Sequence, residues 1–254
     1  MAGSEVNPIS PPPRSLGVVV ARRQSKRLPG KILRPLLGHP LIAYMARAAM
    51  ASRLDRVVLS TDDDEIAETA ARYGLEAPFR RPAALAADFA HDHEIVLHAL
   101  DWVEAREKRA YDIVVMLQPT TPFTLPRHID ACLEILAATD ASCCFAARPV
   151  AEKPQWMFTE RPDGTSATLL EGHLEGARQH SQNLPPAYLP SGAAWAVRTN
   201  ALRAQQRIYA EPLRIAHMER ERSVDIDEAL DLTVAEAVGR ANGYALVSPE
   251  RPGG

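Results

Sequence analysis

The chain of 254 residues is long enough for one large domain, or for one domain with a smaller insert. Its 46% apolar content allows a sizeable core, while a formal net charge of −3 and the lack of a long apolar run argue against nucleic acid as a bulk partner and against a bilayer-spanning segment. Three cysteines, none in a CxxC or Cys/His metal spacing, argue against a disulfide framework and for a reducing, cytoplasmic compartment.

Residues 1–15 are rich in Pro, Ser and Gly without an apolar centre, and read as a disordered leader. Residues 17–21 (Gly-Val-Val-Val-Ala) form a short apolar run with β-branched residues, the pattern of a buried parallel strand. A basic loop follows, then a helical pattern over 40–51 and a second strand over 56–60. Asp62 is placed to cap a helix that runs to Tyr73 and ends at Gly74. Helices are predicted over 90–107 and 126–138, and strands over 111–117 and 141–147, the latter burying Cys143 and Cys144. Such alternation predicts an α/β fold, a three-layer sandwich with a mostly parallel sheet.

The pattern changes over residues 148–190, where Pro, Gly and Gln accumulate and a small inserted lobe of short strands and loops is expected. The core is therefore assigned to 16–147 and 191–247, with a disordered tail over 248–254.

Charge is unevenly spread. No acidic residue falls between Glu5 and Asp55, whereas Arg22, Arg23, Lys26, Arg27 and Lys31 crowd the loop after the first strand. Ligands of open parallel sheets bind at the carboxyl ends of strands, so this loop, with its Ser25 hydroxyl, can wrap a polyphosphate. A solvated basic loop is the plainer alternative. It is neither a Walker A loop, since Ile32 follows Gly30-Lys31, nor GxGxxG, which disfavours a dinucleotide-dependent oxidoreductase.

Two further motifs stand out. Leu117-Gln-Pro-Thr-Thr-Pro122 ends the third strand, where Gln118 can fix a substrate hydroxyl or carboxylate, or where the prolines simply shape a turn. In Ser223-Val-Asp-Ile-Asp227 an extended backbone puts Asp225 and Asp227 on one side, with Ile226 opposite. Two hard oxygen donors suit magnesium, and without a neighbouring Lys or Arg their repulsion would be relieved by a divalent cation. The alternative is that Asp227 caps the helix that follows. Arg80-Arg81 offers one more cation to a nucleotide, or a solvated pair. Asp62, Asp63 and Asp64 read as a helix N-terminus, and His91 and His93 have no ligand partner at useful spacing.

Together these residues resemble the acylneuraminate cytidylyltransferase family, which makes CMP-sialic acid and related CMP-nonulosonates. Ala21-Arg-Arg-Gln-Ser-Lys-Arg-Leu-Pro-Gly-Lys31 is similar to the family's A-R-x-x-S-K-x-x-P-x-K, and Arg27-Leu-Pro-Gly-Lys31 also resembles the 3-deoxy-manno-octulosonate cytidylyltransferases. Leu117–Pro122 resembles L-Q-P-T-S-P, residues 223–232 resemble the metal motif S-x-D-I-D-x-x-x-D-L, and residues 181–193 resemble R-Q-x-L-P-x-x-Y-x-x-N-G-A, with Ser181 and Ser191 in place of Arg and Asn. Arg81-Pro82 with Leu85-Ala-Ala-Asp88 follows R-P-x-x-L-A-x-D. Ile32 and Thr124 depart from the family's Asn and Arg.

The resemblance implies CMP transfer from CTP to an acidic sugar with release of pyrophosphate, and a homodimer in which the lobe reaches the second subunit. Arg22, Lys31, Asp225 and Asp227 are the implied catalytic residues. Ala21, Ser25, Lys26, Arg80 and Arg81 join them as nucleotide-binding. Gln118, Lys153, Gln182 and Tyr188 are implied for the acceptor, and Asp225 and Asp227 for Mg2+, with Mn2+ as an alternative. The substitutions at Ser181 and Ser191 predict an acceptor related to, but distinct from, common sialic acid. Transfer to an octulosonate or a phosphonate, and a non-catalytic nucleotide-binding protein, are the alternative functions.

Overall fold

The structure, a computed structural model, describes residues 13–87, 89–170 and 174–244. Most of the expected leader, the whole expected tail and Asp88 lie outside the described residues. Ser15, assigned to the leader from sequence, instead opens the first strand.

In chain order the elements are β1 (Ser15–Val20), the short hairpin β2 (Pro35–Leu36) and β3 (His39–Pro40), α1 (Leu41–Met50), β4 (Arg56–Ser60), α2 (Asp64–Ala71) and α3 (Asp92–Glu107). Then come β5 (Ile113–Leu117), α4 (Pro126–Ala138), β6 (Cys143–Pro149), β7 (Phe158–Glu160), β8 (Ser166–Thr168), β9 (Tyr188–Arg198), α5 (Thr199–Gln205), β10 (Leu213–His217) and α6 (Ala229–Ala241). The main sheet has the order β10-β6-β9-β5-β1-β4. β9 runs antiparallel to both its neighbours, and the other five strands share one direction.

The period-two pleat sorts side chains into the two outer layers. Leu16 and Val18 of β1 pack with Val96, Leu100 and Val103 of α3, while Val19 faces Ile42 and Met45 of α1. β5 alternates likewise: Val114 and Met116 go to the α3 side, Ile113, Val115 and Leu117 to the side of α1 and α4. Each such fully buried Leu, Val or Met contributes roughly 1.5–3 kcal/mol. This is the three-layer sandwich that the alternating sequence predicts.

Three local readings are corrected. The cap of α2 is Asp63, whose Oδ1 accepts from the Ile66 N–H at 2.9 Å, not Asp62. Asp62 instead accepts from the Arg23 backbone N–H. β9 begins at Tyr188, inside the stretch assigned to the lobe, and β6 runs on to Pro149. β10 and α5 were not anticipated: β10 is an edge strand that buries only Ala216, so its sequence carries no apolar run.

Among the described residues the three cysteines are buried free thiols, and no helix is long and apolar enough to cross a membrane.

Candidate active site

β1 and β5 are neighbours with parallel register, so Val20 and Leu117 release the chain at the same edge of the sheet. Two loops start there, residues 21–31 and the Gln118-Pro119-Thr120 turn. A third arrives from far along the chain. The Ile226 N–H donates to the Thr120 carbonyl at 2.9 Å, and Ile226 is fully buried with Leu28, Tyr44 and Phe123. Burying Ile226 on one side leaves Asp225 and Asp227 on the other, as the extended spacing predicts.

The three loops enclose a cavity of about 570 Å³. Ala21, Arg22, Ser25, Lys26 and Lys31 line it from the first loop, Gln118 and Thr120 from the second, and Asp225 and Asp227 from the third. Lys31 Nζ donates to Asp227 Oδ1 at 2.9 Å, and Arg27 Nη2 donates to Asp227 Oδ2 at 2.7 Å. The expectation of a carboxylate pair without a Lys or Arg partner therefore fails, because the partners come from the other end of the chain.

Asp225 and Asp227 diverge electrostatically. Burial, first, and the charge of Asp227 push the Asp225 carboxyl above the usual range, against a hydrogen bond from the Thr120 side chain and the pull of Lys31. Burial would raise Asp227 as well, but Lys31 and Arg27 outweigh it and hold its carboxyl below the usual range. Asp227 does not cap α6 either. The N-cap is Glu228, and Asp231 in the first turn closes the capping box, accepting from the Asp227 and Glu228 N–H groups at 2.9 Å each. The Asp227 side chain is thus committed to the cavity and to the loop's cations.

The donor set suits a magnesium-sized cation. Among the described residues no group of three or more His, Cys, Asp or Glu that could hold a metal ion is found, and the two acids that could hold one here are Asp225 and Asp227. Mg2+ keeps several waters and takes one or two carboxylates plus substrate phosphates, which two acids facing a basic loop can satisfy.

Gly192 closes the wall beside these groups. Its φ of +79° is the left-handed region, and a Cβ there would lie 2.6 Å from Thr121 Oγ1 and 3.6 Å from both Asp225 Oδ1 and Gln118 Oε1. Only glycine lets β9 approach the Gln118 turn so closely.

The two arginines of residues 80–81 separate. Arg81 is buried and lines the cavity, with Nε donating to Ser60 Oγ at 3.1 Å and Nη2 donating to the Ala21 carbonyl at 2.8 Å and to the Ser60 carbonyl. Burial lowers it to about 10, so it stays charged at neutral pH. Arg80 instead points outward and pairs with Asp64 at 2.6 Å, so the structure does not bring it to the cavity. Arg23, beside Arg22, also turns away: its Nη1 meets Asp63 Oδ2 at 2.6 Å and pins the loop to the start of α2.

Lys153, Gln182 and Tyr188 do not join Gln118. Lys153 donates to the Pro185 carbonyl at 3.3 Å, Gln182 is exposed, and Tyr188 packs on His217 with ring centroids 4.9 Å apart. All three belong to the lobe side of this chain, outside the cavity. Ser191 is buried and donates to the Ala146 carbonyl at 3.0 Å, so its side chain does not face an acceptor. Thr124 is likewise internal, donating to the Thr121 carbonyl. Sequence reasoning passed over Thr120 and Asp92, both on the cavity wall. Thr120 lay inside a motif already read, but Asp92 gave no signal beyond a helix start.

A model of the cytidylyltransferase family matches residues 16–191. The chain is 32% identical over 236 residues to the CMP-N,N'-diacetyllegionaminic acid synthase of Legionella pneumophila, covering 92% of this chain and all of that one. It is 30% identical to the pseudaminic acid cytidylyltransferase of Campylobacter jejuni, covering 90% and 97% of the two chains. A solved CMP-2-keto-3-deoxy-manno-octonic acid synthetase in complex with CTP shares the fold, with a TM-score of 0.65 at 16% identity over 90% of this chain and 99% of that one. The basic signature loop and the sheet edge that displays it both fall within the matched residues, and the chain belongs to the cytidylyltransferase family.

Proposed function

We propose that this protein transfers CMP from CTP to an acidic nonulosonate sugar and releases pyrophosphate. The observation that carries the reading is the cavity itself, which Arg22, Lys26 and Lys31 line together with Asp225, Asp227 and Gln118. The names of the relatives at 30–32% identity, both acting on nonulosonates, support the acceptor class.

Arg22, Lys26 and Lys31 hold the triphosphate, and Lys31, anchored on Asp227, sets where its charge falls. Gln118 orients the acceptor so that its anomeric oxygen meets the α-phosphorus in line as the bond to the β-phosphate breaks. Positioning and charge stabilisation are the main contributions of the protein. A divalent cation held by Asp225 and Asp227, Mg2+ or Mn2+, supplies neutralisation of the developing pyrophosphate charge.

Lys153, Gln182 and Tyr188 act on the acceptor from a second copy of the chain. The lobe supports this, since Trp156, Met157, Phe158 and Leu174 stand exposed there, between 37% and 62%. A homodimer working in the cytoplasm on soluble substrates completes the reading.

The test is pyrophosphate release from CTP and Mg2+ with legionaminic, pseudaminic, N-acetylneuraminic and 3-deoxy-manno-octulosonic acids. One of the first two is expected to give the highest kcat/KM. Preferred turnover of the octulosonate would establish the second reading, which the Arg27-Leu-Pro-Gly-Lys31 match and the octonic acid synthetase fold favour. No release with any acid would overturn both.

A further inference from the structure

Asp225 and Asp227 sit on a stretch of chain that the sheet does not hold. Residues 219–228 join β10 to α6 outside it. One anchor of this segment is the Ile226 N–H on the Thr120 carbonyl, at 2.9 Å. A single anchor fixes one point of a chain and leaves its direction free. The second anchor is Glu219, where the chain leaves β10. Arg127 Nη2 at 2.7 Å and His128 Nε2 at 2.8 Å meet its two carboxylate oxygens. Ser223 Oγ donates to the Glu219 carbonyl at 2.7 Å and folds the intervening turn onto the same point.

His128 is the third residue of α4 and is buried. Its ring has partners on two different loops. The Leu125 N–H can only donate, so Nδ1 accepts from it at 3.1 Å, and the hydrogen on Nε2 goes to Glu219. Leu125 ends the loop that starts at Gln118, which is closed by the Thr121 N–H on the Gln118 carbonyl and the Thr124 N–H on the Thr121 carbonyl. The Glu219 partner lies 91 positions further along the chain. One buried imidazole therefore bridges the loop that carries Gln118 and Thr120 to the segment that carries Asp225 and Asp227.

We propose that His128, through Glu219, is a positioning residue for the Asp225–Asp227 pair and holds the two acids in the spacing that a divalent cation needs. This rests on the reading that the pair binds such a cation. Carboxylates that ligate a metal are themselves oriented by the bonds around them, and loosening that support weakens the metal. Ile226 and Glu219 lie on either side of Asp225, so loss of the Glu219 anchor frees the segment to swing about Ile226.

The plainer role for His128 is local, as a cap for the start of α4 through the Leu125 N–H, and the experiment separates the two. Mn2+ binding to the protein alone is followed by electron paramagnetic resonance, and the Mg2+ half-saturation of pyrophosphate release is measured beside it, with thermal midpoints. His128→Asn retains an acceptor for the Leu125 N–H on a side chain too short for Glu219. Glu219→Ala removes the other half of the bridge from a half-exposed position, so it leaves the core intact. Each should weaken Mn2+ at least fivefold and raise the Mg2+ half-saturation to match. The double variant should be no worse than the poorer single one, because both break one contact. Ile129→Val, from the same helix, should lower the thermal midpoint and leave Mn2+ affinity unchanged. Mn2+ affinity within twofold of wild type in Glu219→Ala, additive losses in the double variant, or an equal loss in Ile129→Val would overturn the proposal. If the wild-type protein itself neither binds Mn2+ nor responds to Mg2+, the metal reading of the pair falls, and the proposal with it.

Discussion

Lys31 and Asp227, 196 positions apart in sequence, meet at 2.9 Å. This contact joins the basic loop after β1 to the acidic segment before α6, and makes one site of two motifs that the chain keeps at opposite ends.

The contact makes Lys31→Ala informative. Lys31 is nearly buried, with 11% of its side chain exposed, and loses both Asp227 and the phosphates when truncated. The expected loss is roughly 1–3 kcal/mol in CTP turnover, the range for a hydrogen bond to a charged group. Steady-state kcat/KM for CTP measures it, and an unchanged value would remove the loop from the active site.

Asp227 and Asp231 divide the labour at the start of α6, so their variants should divide the consequences. Asp227→Asn should abolish turnover; it removes no cap, so its cost in stability comes from the weakened pairs with Lys31 and Arg27. Asp231→Ala should cost about 1 kcal/mol of stability through the lost cap, while much of the activity remains. Chelation of divalent cations should silence the wild-type protein, and Mg2+ or Mn2+ should restore it. A chelator-resistant wild type, or an active Asp227→Asn, would mean that the pair is structural.

The lobe gives a prediction about assembly. Light scattering at micromolar concentration should report a dimer, and Phe158→Asp with Leu174→Asp should shift it to monomer with loss of turnover. Phe158 is 55% and Leu174 62% exposed, so neither change disturbs a core in the single chain. A fully active monomer would separate Lys153, Gln182 and Tyr188 from the acceptor.

Glu219 gives a pH signature. Arg127 Nη2 at 2.7 Å, and to a lesser extent His128 Nε2 at 2.8 Å, hold its carboxyl down to about 2. Burial lowers His128 despite this contact, and its Nδ1 accepts from the Leu125 N–H, so His128 is neutral at pH 7 and donates through Nε2. A carboxyl lowered on folding stabilises the native state above its unfolded value, near 4.3, and the stabilisation is lost as pH falls toward 2. Urea unfolding of wild type and Glu219→Gln should therefore differ most above pH 5 and converge only as the pH approaches 2. A difference independent of pH would show that the ionised carboxylate is not the contributing form.

The legible part of this molecule was what repeats locally. Buried strands such as β1, β4 and β5 show as apolar runs because both faces are covered. The Gly74 stop and the Pro126 start of α4 follow from backbone chemistry alone. The three loops of the site were legible as motifs, but their mutual contacts were not. Nothing near Asp227 in sequence announces Arg27 or Lys31, and nothing separates Arg80 from Arg81. The parallel bridge between Thr61 and Arg80 fixes the backbone there, with Arg80 paired to Asp64 and the next residue, Arg81, turned inward to Ser60 and Ala21. β10 stayed hidden for a related reason, since an edge strand borrows its register from β6.

Gly192 offers the sharpest separation of backbone strain from contact. Gly192→Ala would place a Cβ at φ +79°, at about 1–2 kcal/mol for the left-handed conformation. It would also drive that Cβ into Thr121 Oγ1 at 2.6 Å. Thr121 donates to the Ser191 carbonyl at 2.8 Å, so its displacement disturbs the turn that carries Gln118 and Thr120. The single variant should lose both stability and turnover. Adding Thr121→Ala removes the clash but keeps the strain, so part of the stability should return beyond additivity, a coupling that a double-mutant cycle reads directly. Additive losses would mean that the tight approach of β9 to the Gln118 turn is not what glycine is needed for, and that its left-handed φ alone accounts for the residue.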